Sequence, residues 1–81
     1  MLVTVVFLAS YREAAGTASA RIALPSGSTV AELVAQVCAQ YRGLPDAERI
    51  VVAVNNEYRE PDFVLDDGDE VALIPPVSGG S

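Results

Sequence analysis

Leu2–Leu8 is rich in β-branched and aromatic residues, and alternate positions put Val3, Val5 and Phe7 on one face and Leu2, Thr4, Val6 and Leu8 on the other. Residues of these types predict a strand. Ser10–Gly16 carries Tyr11-Arg12-Glu13-Ala14-Ala15, read as one short helical turn stopped by Gly16. Ala18, Ala20, Ile22 and Leu24 alternate more weakly and predict a second strand, broken by Pro25-Ser26-Gly27-Ser28.

The period then changes. Thr29 and Glu32 have the spacing of a capping box, in which the threonine oxygen and the glutamate satisfy opposite orphan backbone donors. Val30, Leu33, Val34, Val37, Cys38 and Tyr41 follow as one helical stripe, predicting a helix over about 29–42 that Gly43 and Pro45 end. Cys38 lies inside that stripe and is read as a buried, inert thiol.

Ile50–Val54 is a continuous apolar run, predicting a strand buried on both faces or covered by a partner. Asn55-Asn56-Glu57 turns it into a short strand around Tyr58-Arg59. Phe63-Val64-Leu65 packs before Asp66-Asp67-Gly68-Asp69, whose spacing lacks the ligand ladder of a calcium loop and reads as a tight turn. Glu70–Ile74 is the last strand, and Pro75-Pro76 ends it. The pattern is α+β: one main helix packed on one face of a mixed four- to five-stranded sheet. The domain is expected over residues 1–76, with 77–81 as a flexible tail rooted by Pro75-Pro76 at a sheet edge.

Composition narrows the chemistry. The chain has 81 residues, enough for one small core, and 51% of them are apolar. Net charge is −6, with five scattered arginines and no lysine, so no basic stripe is available to displace nucleic-acid counterions. Such acidity suits either a basic protein partner or plain solubility. No apolar run approaches a membrane span, and no basic segment precedes Met1–Ala9, so a cytoplasmic protein is expected. Histidine is absent and cysteine single, which removes the commonest acid–base group and any thiolate cluster. This is not the equipment of a self-sufficient enzyme.

Three stretches resemble the MoaD type, the small sulfur-carrying subunit of molybdopterin synthase. Val5–Gly16 is similar to the family's strand and Arg-Glu-x-x-Gly turn, and Val52-Ala53-Val54-Asn55 to its Ala-Val-Asn strand end. Asp67-Gly68-Asp69-Glu70-Val71 and Pro75-Pro76-Val77-Ser78-Gly79-Gly80 resemble its most specific segment. The resemblance implies a ubiquitin-like β-grasp fold and a carrier cycle. An activating enzyme uses ATP to adenylate the terminal glycine, here Gly80 after Gly79, and a sulfur donor protein converts it to a thiocarboxylate. The tail then delivers sulfur to cyclic pyranopterin monophosphate inside the large synthase subunit, in a heterotetramer. No cofactor is bound permanently, and neither nucleic acid nor membrane is involved.

Physics makes sense of such a tail. Pro75-Pro76 leaves the sheet stiffly, and Pro75–Gly80 reaches roughly 20 Å at about 3.3 Å per residue. Glycines lacking Cβ pass a narrow channel and take the dihedrals it imposes. Gly-Gly-Ser alone would equally suit a linker. Ser81 departs from the family, where the second glycine is last: here the Gly80 carboxyl is an amide, so either a peptidase removes Ser81, or the serine is an addition, or this copy is not a carrier in the form given.

The sheet face away from the helix is expected to gather Val6, Leu8, Val52, Val54, Tyr58, Ala72 and Ile74, an apolar patch of the kind that marks an interface. A one-residue shift of register would swap these faces and move some into the core. By resemblance, Leu8, Tyr58 and Ile74, with Pro75, Pro76 and Val77, pack against the large subunit. Arg12 is read either as a contact to the activating enzyme or as a partner of Glu13 and the acidic turn. Competing functions are a sulfur carrier of another pathway such as thiamine synthesis, a ubiquitin-like protein modifier, and a plain β-grasp interaction domain.

Overall fold

The computed structural model describes residues 1–76. Its elements are β1 (Leu2–Phe7), α1 (Ser10–Ala15), β2 (Ser19–Ala23), α2 (Val30–Gln40), a 3-10 turn (Ala47–Arg49), β3 (Val51–Val54), β4 (Glu57–Tyr58) and β5 (Glu70–Ile74). The five strands form one sheet in the order β2-β1-β5-β3-β4. β1 and β5 are parallel neighbours; the other pairs are antiparallel. This is the β-grasp arrangement.

Alternation decides which face is buried. Val3, Val5 and Phe7 of β1 meet Val52, Val54, Val71 and Leu73 in one core beneath Val30, Leu33, Val34 and Val37 of α2. The capping box is present: Thr29 Oγ1 accepts from Glu32 N–H at 3.3 Å, and Glu32 Oε1 accepts from Thr29 N–H at 2.9 Å. Gly16 closes α1 in the left-handed conformation, φ 76°. Gly43 passes so close to α1 that a Cβ there would lie 2.7 Å from the Ala14 carbonyl oxygen.

Four expectations are corrected. Helix α2 stops at Gln40 rather than Arg42. Tyr41 turns extended, its N–H still bonded to Val37 O at 2.8 Å, and its ring meets Phe7 edge-on at 5.2 Å. The helix thus ends two residues before Gly43, at the tyrosine that packs on Phe7. Second, Val52 and Val54 face the core, because Val52 pairs with Leu73 and Val54 with Val71. Val51 and Ala53 take the outer face instead, and Val51 is exposed. Third, β5 is the central strand, so Pro75-Pro76 leaves from between β1 and β3 and not from a sheet edge. Finally, Arg12 makes no ion pair: among the described residues the one salt bridge is Arg59 to Glu57, at 3.0 Å.

Candidate functional site

The candidate site is the place where β5 ends, together with the outer face of the sheet around it. Ile74 pairs with Val51 on one side, and on the other Leu8 N–H donates to Leu73 O at 3.4 Å. The root of the tail is therefore held by strands on both flanks. Ile74 and Pro75 are half-buried and Pro76 is exposed. Val77, Gly79 and Gly80 lie outside the described residues.

Cross-strand pairing fixes the outer face. Tyr58, Ala53, Ala72 and Val6 form one row across the sheet; Val51 and Ile74 belong to the next, with Leu8 beside them. Tyr58 is 74% exposed and Val51 42%. Leu8, Tyr58 and Ile74 thus share one apolar surface adjoining the tail exit. Val51 and Ala53 belong to it as well, and an alternation-based reading misses them because Ile50–Val54 has no polar residue to mark the phase.

The acidic turn is a structural knot. Asp69 accepts from Asp66 N–H at 2.8 Å and from Asn55 Nδ2 at 3.0 Å; Asp67 accepts from Leu2 N–H at 2.7 Å. Asn55 Oδ1 also accepts from Glu70 N–H at 3.0 Å. These carboxylates hold the start of β5 opposite the tail exit, so their oxygens are engaged by backbone and amide donors. Cys38 is half-buried and its thiol contacts the Pro45 carbonyl at 3.5 Å. Burial, then the negative charge of Asp46, raises its pKa above the ordinary 9.0, which lowers the thiolate fraction and its nucleophilicity. Among the described residues no histidine, cysteine or lysine stands at the β5 exit. What the described residues present is an apolar outer face beside the end of β5, which is paired on both flanks.

The ThiS family pattern matches residues 5–80. The chain belongs to the ThiS family. Along its whole length this ThiS-family protein is similar to the molybdopterin synthase sulfur carrier subunit of Chlamydomonas reinhardtii, with 40% identity over 99% of this chain and 100% of that one. Among solved structures it is similar to SAMP1 of Haloferax volcanii, a small archaeal modifier protein, with TM-score 0.85 and 26% identity over 99% and 100% of the two chains. A third likeness is to a chain in the complex of subunits 1 and 2 of the molybdopterin-converting factor of Helicobacter pylori. Its TM-score is 0.70, at 26% identity over 99% and 100%. The fold is the ubiquitin-like β-grasp, and the resemblance to the MoaD type holds. Among the described residues no helix is long and apolar enough to cross a membrane.

Proposed function

We propose that this protein is the sulfur carrier subunit of a molybdopterin synthase, acting in the cytoplasm as half of a heterotetramer with the large subunit. The observation that carries this is the likeness to a sulfur carrier subunit, at 40% identity over 99% of this chain and 100% of that one. The site's chemistry agrees. A sulfur carrier needs no side-chain catalyst, only a chain end that two enzymes can each take into a pocket and a face on which they dock.

In this scheme the Gly80 carboxylate, exposed once Ser81 is absent, attacks the α-phosphorus of ATP in the activating enzyme and releases pyrophosphate. The acyl-adenylate has the leaving group a carboxylate lacks. Sulfide-level sulfur from the donor protein then attacks the acyl carbon and displaces AMP, leaving a thiocarboxylate. Within the large subunit that sulfur bonds to cyclic pyranopterin monophosphate, and water cleaves the acyl–sulfur bond to return Gly80 as a carboxylate. Gly79 lets the end thread; Leu8, Tyr58, Ile74, Pro75, Pro76 and Val77 hold it in register. ATP belongs to the activating enzyme and not to this chain.

Likeness to a modifier protein supports a second reading, in which the same glycine forms an isopeptide with target lysines. The two share the adenylation step and part at the acceptor. ATP–pyrophosphate exchange with the activating enzyme tests that step: a chain ending at Gly80 supports exchange and the chain ending at Ser81 does not. Equal rates on both would contradict the role of the Gly80 carboxylate.

A further inference from the structure

Beside β4 the sheet edge opens into a groove of about 510 Å³ between α2, the 3-10 turn and Glu60-Pro61. Its origin lies in the strand lengths. β3 has four residues but β4 pairs only with Ala53 and Val54. After Arg59 N–H reaches Val52 O at 3.1 Å the chain leaves the sheet at Glu60-Pro61, and the Pro61 carbonyl accepts from Ala31 N–H at 2.9 Å. The groove therefore occupies the line along which β4 would have continued. It is floored by Val30, Val34, Ile50 and Val52.

Two features say what it fits. Val51 and Tyr58 line the groove and also belong to the outer face, so a protein covering that face passes over the groove mouth. Its charge is also one-sided. Arg59 is engaged by Glu57 at 3.0 Å and lies 4.5 Å over the Phe63 ring, while Glu48 and Glu60 are exposed and unpaired among the described residues. A groove with an apolar floor along the line β4 would have continued, and with two unpaired carboxylates against one engaged arginine, selects an extended aliphatic segment bearing basic residues.

We infer that the groove receives an extended aliphatic segment, flanked by lysine or arginine, of the protein that covers the outer face. This rests on the sulfur-carrier reading, which makes that protein the large synthase subunit. The segment lies over Ile50 and Val52, past the point where β4 stops, and its basic residue meets Glu48 and Glu60.

The test is calorimetric titration of the large subunit with the chain ending at Gly80, at two salt concentrations. Ala31→Arg, an exposed helix position, blocks the groove, while E48K/E60K reverses the rim charge. Each is expected to weaken binding about tenfold, with a shallower salt dependence for the charge variant. Thermal melts check that both remain folded. If both bind within about twofold of the parent while Ile74→Arg abolishes the complex, the groove is not used and the carrier reading stands. If the parent itself does not bind the large subunit, the carrier reading fails and the named partner with it. A concentration-dependent dimer that Ala31→Arg abolishes would make the groove a self-interface and overturn the proposal.

Discussion

Cys38 and Tyr11 show how a sequence with few chemical groups can still titrate. Tyr11 is 5% exposed and its hydroxyl has no hydrogen-bond partner among the described residues; burial, then the nearby Cys38, raises its pKa above 10.0. Both groups are acids held protonated by the fold, so the unfolded chain loses its protons first as pH rises. Their contribution is complete below about pH 9 and is lost as pH climbs through the folded values. The urea midpoint is therefore expected to fall above pH 9, and Cys38→Ala to flatten the first part of that fall. An unchanged profile in the variant would place the alkaline loss elsewhere. The helical stripe places Cys38 against the core but overstates its burial, which is partial; the buried tyrosine is not legible, because Tyr11 stands in a short turn with no period.

At the scale of elements, the strongest local signal is the one that folds as read. Thr29→Ala removes the acceptor for Glu32 N–H and frees the glutamate from its reciprocal bond. It is expected to cost about 1 kcal/mol in urea unfolding, and a loss below about 0.3 kcal/mol would mean the cap is idle. The capping box, the Gly16 stop and the alternation of β1 and β5 are legible because each is a short-range rule that only one conformation satisfies. The end of α2 is not: Tyr41 leaves the helix to meet Phe7, 34 positions away in sequence. Nor is the phase of β3. Five apolar residues in a row carry no marker of inside and outside, and only the pairing with Leu73 and Val71 turns Val52 and Val54 inward. The 3-10 turn at Ala47–Arg49 has no sequence signature beyond following Pro45-Asp46.

Taken as a whole, the molecule is a rigid root for its own chain end. Placing β5 between β1 and β3 means that force on the tail is shared by two ladders, and that the apolar outer face begins at the exit. Long-range pairing of β1 with β5 closes nearly the whole chain, which is why no local pattern marks β5 as central. Because Ile74 stands in this face beside Val51, Ile74→Arg is expected to cost about 2 kcal/mol or more in affinity for the large subunit and little in stability. Unchanged pairing would remove the outer face from the docking surface. On the face the pairing brings Leu8, Tyr58 and Ile74 to one side as the sequence suggests, while the Val77 to Gly80 motif lies outside the described residues.

The central claim is that Gly80 carries sulfur. Intact mass spectrometry of the protein isolated from its own cells tests this most directly. The account predicts a chain ending at Gly80, part of it heavier by the exchange of one terminal oxygen for sulfur and returned to the lighter mass by alkaline hydrolysis. A population that keeps Ser81 throughout, or that ends at Gly80 with no sulfur-bearing fraction and is found instead joined to lysines of other proteins, would contradict it.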